Sequence, residues 1–280
     1  MPRAAAEDVA VECFDLGSCG VHEVEAGEMT HLNVYFEAPA VDFDGLDAKL
    51  VQGLRAAGRW PDGARVAAGD VELERDWNET WKQYYRPVWA TERIVVHPPW
   101  IPVEIEAGQM AIVIDPAMAF GTGGHESTQL ALEAIEGSTC ADCRCLDIGT
   151  GSGVLTIALV QLGAAHVTAV DTDPVVISNA TRNLRQNLGP NVGRTQLLSG
   201  SIDETVGPDF DLIVANLESH LVRPLLPQIR ARLSTGGKAL FSGLIETERE
   251  RFLGWLQEAG FTVDKMWSRN SWFSCRSRPS

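Results

Sequence analysis

Basic residues are scarce in this chain: 23 Lys and Arg stand against 38 Asp and Glu, a formal net charge of −15. Nucleic-acid binding rests on Lys and Arg neutralising phosphates, so the deficit argues against nucleic acid as the primary ligand. An acidic surface attracts basic partners instead, or merely keeps the protein soluble, and composition does not separate the two. Long apolar runs are also missing. None approaches the roughly 20 residues that cross a bilayer. Residues 1–10 carry Glu7 and Asp8 and lack the basic-then-apolar order of a signal peptide, so a cytoplasmic protein with no membrane partner is expected. Cysteine is sparse. Cys140, Cys143 and Cys145 form a CxxCxC cluster that could bind zinc, but no fourth ligand stands at a recognisable spacing, and Cys145 opens an apolar strand pattern. Unliganded thiols are the expectation, with no metal, and a disulfide framework is not. Internal repeats and low-complexity stretches are absent.

What remains is an ordinary globular composition over 280 residues, enough for two domains. Residues 9–15, 21–25 and 31–37 alternate apolar and polar side chains, as half-buried strands do. Gly17, Gly20 and Gly27 stand where turns belong. Phe43, Leu46, Leu50 and Leu54 have helical spacing, and residues 66–73 read as another strand. The first 73 residues therefore predict a small α+β domain.

Residues 74–102 differ. Trp77, Trp81, Tyr84, Tyr85, Trp89 and Trp100 alternate with Pro87, Pro98, Pro99 and Pro102. Asp76 suits the cap of a short helix, after which the prolines interrupt regular structure. The stretch reads as a linker whose aromatics pack against the next domain, although Trp and Tyr also suit an interaction surface.

Residues 103–280 form the third segment, in which strand and helix patterns alternate from Met110. Strands are expected at 145–148, 166–170, 195–198, 212–215 and 239–241, and helices at 154–162, 174–186, 221–233 and 246–258. That order predicts a doubly wound parallel sheet. The tail has strand patterns at 261–267 and 272–275, joined by a connection too short for a crossover, so these two must pair antiparallel.

The chemistry concentrates at strand ends. The first strand of the alternating region runs into Asp147-Ile148-Gly149-Thr150-Gly151-Ser152-Gly153 and then a helix. Glycines there let the backbone approach a ligand, and the helix N-terminus favours negative charge. A dinucleotide site wants GxGxxG. Here the third glycine comes one residue early, which suits a ligand with an amino-acid end and no pyrophosphate. Asp171 ends the next strand, about 20 positions past the glycines, where a carboxylate accepts both ribose hydroxyls. Asp173 is the better candidate for capping the helix at Pro174. Asn216 ends the strand at 212–215. Its side-chain carbonyl is placed to meet an incoming amine, but taken alone the residue reads better as a cap, with Asn216 or Ser219 starting the next helix. Ahead of the glycine turn lies a second glycine-rich segment, residues 115–128. It is either a loop over the ligand, with Phe120 against an apolar or cationic group, or a lead-in to a helix beginning at Gln129 and capped by Ser127 or Thr128.

The runs AFGTGGHEST, LDIGTGSG, AVDTDP, LIVANL and STGGKALFSGLI, in that order, resemble the PrmA family, methyltransferases of large-subunit ribosomal protein eleven. The resemblance covers residues 76–273. The chain departs from the family pattern at Gly124 and Ser127 of the first run, and residues 1–75 match only in size and α+β character. The resemblance implies a seven-stranded Rossmann-like domain using S-adenosyl-L-methionine. It implies cofactor contacts at Phe120, Thr122, Thr128, Gly149, Gly151, Asp171 and Asn216, with Asn216 also serving catalysis. The smaller N-terminal domain would recognise the ribosomal protein, and the connector would present different amines to one site. Methyl transfer to an amine is an in-line displacement in which the enzyme mainly positions the partners. A lysine must be neutral to attack, and desolvation beside a sulfonium favours that form. Asn216 is then an orienting group, and His125 a structural residue of its loop. Methylation of another protein or of a small molecule is the alternative. A base methyltransferase would place a proline pair and an aromatic where this chain has Asn216-Leu217-Glu218-Ser219. A non-catalytic adaptor would not need Asp171, Asn216 and the whole first run.

Overall fold

Burial of two faces of one sheet organises the larger part of the molecule. The structure, a computed structural model, describes residues 9, 13, 18, 20–26, 29–35, 43–56, 60, 65–66, 85–115, 123–139, 141–205 and 210–280. The chain divides into two units, Met1–Glu79 and Thr80–Ser280. In the first, β1 (Gly20–Ala26) pairs antiparallel with β2 (Met29–Tyr35), and α1 (Phe43–Ala56) follows. Its described core is Val9, Cys13 and Leu54, with Leu32, Val34, Leu50 and Trp60 packed around them. Val9 and Cys13 are helical rather than part of the strand expected at 9–15. Both are buried. Of the strand expected at 66–73 only Val66 is described, and it lies in neither helix nor strand; the Asp76 cap also lies outside the described residues.

In the second unit a small sheet comes first: β3 (Val88–Trp89) antiparallel to β4 (Ile94–His97), which is parallel to β5 (Met110–Val113). Two of these strands fall inside the stretch expected to be an irregular connector. Ile94, Val95 and Val96 are all buried, so this short run behaves as a core strand, with the prolines confined to its flanks.

The main sheet has the order β11-β12-β10-β9-β6-β7-β8. Its strands are β6 (Arg144–Ile148), β7 (His166–Asp171), β8 (Thr195–Ser199), β9 (Phe210–Asn216), β10 (Leu233–Ile245), β11 (Phe261–Arg269) and β12 (Trp272–Pro279). Strands β6 to β10 run parallel, and β12 is antiparallel to both β10 and β11. This is the expected doubly wound sheet with its antiparallel tail. The helices are α2 (Glu126–Glu136), α3 (Val154–Gln161), α4 (Pro174–Leu188), α5 (Ser219–Val222), α6 (Leu226–Arg232) and α7 (Arg249–Glu258). One core joins the small sheet to α2, α3 and α4, and includes Ile112, Leu130, Ile157 and Leu184. The other lies around Phe241, Phe252, Phe261 and Phe273, whose rings meet edge to face. Helix α3 is buried along almost its whole length, which fits its continuous apolar run. Helix α4 is amphipathic. It begins where Asp173 accepts from the Val175 N–H and Pro174 occupies the first turn, so Asp173 is the cap and Asp171 is left for other use. Among the described residues no helix is long and apolar enough to cross a membrane, and no His, Cys, Asp and Glu group is arranged to hold a metal.

Candidate active site

Open α/β sheets place ligands beyond the carboxyl ends of their strands, and those of the sequence-predicted residues that are described gather there. The turn after β6 has glycine at three left-handed positions, Gly149, Gly151 and Gly153, with φ of 73°, 55° and 84°. At two of them a side chain would also meet a leucine methyl that would have to move. A Cβ on Gly149 would lie 2.6 Å from Leu217 Cδ2, and one on Gly153 would lie 2.5 Å from Leu184 Cδ1. The turn is therefore pressed between the segment after β9 and helix α4. The Gly149 and Thr150 N–H groups both donate to the Val170 carbonyl, fixing the turn beside the end of β7.

Asp171 is half-buried at that strand end. Its Oδ2 accepts from the Gly151 N–H at 3.0 Å and its Oδ1 from the Asp173 N–H at 3.1 Å. Each carboxylate oxygen has two acceptor sites, so the two backbone bonds aim the group and leave capacity for a pair of hydroxyls.

Asn216 and Thr128 form the second pair. Asn216 ends β9, and its Nδ2 donates to Thr128 Oγ1 at 3.4 Å. Its Oδ1 is shielded from solvent and has no hydrogen-bond partner. Asn216 does not cap α5; Glu218 occupies that position. Ser242 Oγ donates to the Ser127 carbonyl at 2.7 Å, and the Leu217 N–H donates to the Ser242 carbonyl at 3.1 Å. These bonds hold the start of α2 against the ends of β9 and β10. Helix α2 begins at Glu126, three residues before the expected start, because His125 is its cap: Nδ1 accepts from the Ser127 N–H, and the ring stands edge-on to Trp272 with centroids 4.6 Å apart. That assigns His125 the structural part expected of it. The Gly149–Leu217 contact joins the two pairs into one cluster. Phe120 and Thr122 lie outside the described residues.

At the level of sequence Asp147 figures only as the acid that precedes the glycines, in a motif suited to a ligand with an amino-acid end. It is fully buried in β6 just ahead of the turn. Its Oδ2 accepts from Thr150 Oγ1 at 2.8 Å and from Thr156 Oγ1 at 2.7 Å, while Oδ1 has no partner. Burial, aided by the charge of Asp171, pushes the carboxyl up to about 6, against the pull of the two threonine hydroxyls. The available signal was a carboxylate inside an otherwise apolar strand, since unpaired charge in a core is costly unless it serves something. Two solvent-shielded acceptor oxygens, on Asp147 and Asn216, and an aimed carboxylate at Asp171 fit a ligand that carries cationic and hydroxyl groups and no phosphate.

Known proteins agree with this geometry. The family model described as ribosomal protein L11 methyltransferase (PrmA) matches residues 16–279. A ribosomal protein L11 methyltransferase of an Exiguobacterium species is 33% identical over 275 residues, covering 96% of this chain and 85% of the relative. One from Clostridium perfringens is 36% identical over 214 residues, covering 75% of this chain and 67% of the relative. The crystal structure of a ribosomal protein L11 methylase from Lactobacillus delbrueckii subsp. bulgaricus superposes with a TM-score of 0.63 at 29% identity, covering 70% of this chain and 99% of that one. The chain belongs to the ribosomal protein L11 methyltransferase (PrmA) family.

Proposed function

We propose that this enzyme transfers methyl groups from S-adenosyl-L-methionine to amines of ribosomal protein L11, on lysine side chains, the N-terminus or both. The observation that carries the reading is Asn216. Its amide nitrogen is held by Thr128, and its carbonyl oxygen is shielded from water and unpartnered at the carboxyl end of a central strand. Such an oxygen accepts from an amine N–H and so directs the nitrogen lone pair away from itself, toward the methyl group. When bound, the cofactor supplies an electrophilic methyl on a sulfonium. Asp171 would accept the ribose hydroxyls, Gly149 and Gly151 would let the backbone close on the ligand, and Thr128 would keep Asn216 in its rotamer. Asp147 would face positive charge, which its ionised form favours. The site needs no strong base, because a desolvated lysine sheds its proton more readily than one in water.

The N-terminal unit is proposed to recognise the acceptor, in the cytoplasm. Residues 1–79 hold 17 acidic against 6 basic residues, so most of the chain's net charge sits there. A field of that sign draws a basic ribosomal protein and repels nucleic acid. The test is mass spectrometry of purified L11 after incubation with the enzyme and methyl-labelled cofactor. Added methyls on amines are expected with the native chain, and few or none with Asn216→Ala. An unmodified L11, with cofactor binding intact, overturns the proposed acceptor.

A further inference from the structure

We infer that Asn183 is a positioning residue for the cofactor end of the site: its side-chain amide locks the glycine turn to the exit of β5 and so sets the place of Asp171. The inference rests on the cofactor site proposed above. Asn183 lies in the middle of α4 and is 1% exposed. A buried amide costs free energy unless its donor and acceptor are both bonded. Here both bonds leave the helix. Nδ2 donates to the Ser152 carbonyl at 2.8 Å, and Oδ1 accepts from the Asp115 N–H at 3.2 Å. Ser152 stands between two left-handed glycines in a turn with little conformational preference of its own, so the bonds to it decide its shape. The neighbouring Gly151 N–H donates to Asp171. A continuous path therefore runs from Asn183 through Ser152 and Gly151 to the carboxylate assigned to the ribose.

Asn187, one helical turn further on, provides the contrast. Its Oδ1 accepts from the Val113 N–H and its Nδ2 donates to the Val113 carbonyl, each at 2.7 Å. It ties α4 to the same strand, but through Val113 and with no bond to the turn. If these asparagines only stabilise the fold, the two are interchangeable. If Asn183 positions the turn, they are not.

Asn183→Asp is nearly isosteric. It keeps the acceptor for the Asp115 N–H and loses the donor to Ser152. The expected result at pH 8 is a loss of affinity for S-adenosyl-L-methionine of about tenfold or more by calorimetry, with the KM for the acceptor protein within about twofold. At pH 6 a buried carboxyl facing a carbonyl regains its proton and with it an O–H donor, so most of the loss relative to the native chain at that pH is recovered. Asn187→Leu is expected to lower Tm at least as far while leaving cofactor affinity within about twofold. Equal affinity losses in the two variants, or an Asn183→Asp affinity within about twofold of native at pH 8, overturn the inference. Should Asn183→Asp not fold, hydrogen exchange in the native chain decides. The Asp115 and Gly151 amides are expected to gain protection together on adding the cofactor, and protection of Gly151 alone overturns the coupling. A native chain that binds no cofactor defeats the reading of the site itself, which separates the two failures.

Discussion

The two units of this chain spend their residues differently. Met1–Glu79 has 17 acidic and 6 basic residues, whereas Thr80–Ser280 has 21 and 17. The second has two large cores on either side of one sheet. Methyl transfer depends on groups held to fractions of an ångström, and that precision comes from dense packing around the strand ends. Capturing a basic protein depends on a field that acts over roughly 10 Å at moderate ionic strength. The contrast suggests that affinity for the acceptor and chemistry at the methyl group are separable properties.

Removing the first unit gives the most severe test of that separation. A chain starting at Thr80 keeps the whole main sheet, Asp171, Asn216 and the glycine turn. It is expected to bind cofactor with unchanged affinity and to lose about 100-fold or more in kcat/KM on intact L11, because a second site that no longer engages contributes no effective concentration. Equal activity of the short and full chains would show that the acidic unit recognises nothing. Ionic strength tests the same idea without deletion: raising salt from about 50 to about 500 mM should raise the KM for L11 several-fold and leave cofactor affinity almost untouched.

Within the second unit, the two residue pairs should separate as well. Asp171→Ala would remove the two charge-assisted hydrogen bonds proposed to the ribose, each worth roughly 1.5–3 kcal/mol, and would free the Gly151 N–H, so cofactor affinity should fall by at least about tenfold. Asn216→Ala leaves the turn and Asp171 in place. It should lower kcat by about tenfold while cofactor affinity stays within about threefold, as measured by calorimetry alongside steady-state rates. A loss of affinity equal to the loss of rate would make Asn216 a cofactor ligand and nothing more.

The main sheet was legible in the sequence because its strands are short apolar runs punctuated by glycine and polar caps, and because helix-length segments separate most of the parallel ones. The places of the glycine turn, Asp171 and Asn216 at strand ends were legible from the strand pattern and the motif spacing; their part in binding and catalysis is the proposal above. Other features were hidden for physical reasons. Strands β3 and β4 have two and four residues and lie among prolines, too short for a periodic pattern to register. Helix α2 starts early because a histidine does the capping, a part usually taken by Ser, Thr, Asp or Asn. Val9 and Cys13 alternate with polar neighbours over a span that a helix and a strand fit equally well. The threonine partners of Asp147 and the bonds of Asn183 were hidden because a polar residue in a buried element announces a cost, and only the fold shows which group it meets.

Asp147 supplies the smallest expected effect and the clearest sign. Its carboxyl titrates at about 6 in the folded chain against 3.8 for an ordinary aspartate. Between those values the native state binds more protons than the unfolded state, so this group's contribution falls as pH rises from about 4 to about 6 and stays low above that. The charge buried above pH 6 costs on the order of 3 kcal/mol, with one oxygen left unbonded. A neutral amide at this position would carry no such cost. Asp147→Asn is therefore expected to raise the Tm of the cofactor-free chain by several degrees at pH 8, and the difference from the native chain should shrink toward zero near pH 4, where the native carboxyl is protonated. Subtracting the two melting curves at each pH cancels every other titrating group. The same substitution should weaken S-adenosyl-L-methionine binding at pH 8, because the charge that destabilises the empty site is the one that would meet the cofactor's cationic groups. A Tm difference that is constant from pH 4 to pH 8 would mean that the Asp147 carboxyl titrates alike in the folded and unfolded chain, and the cost assigned to its buried charge would fall.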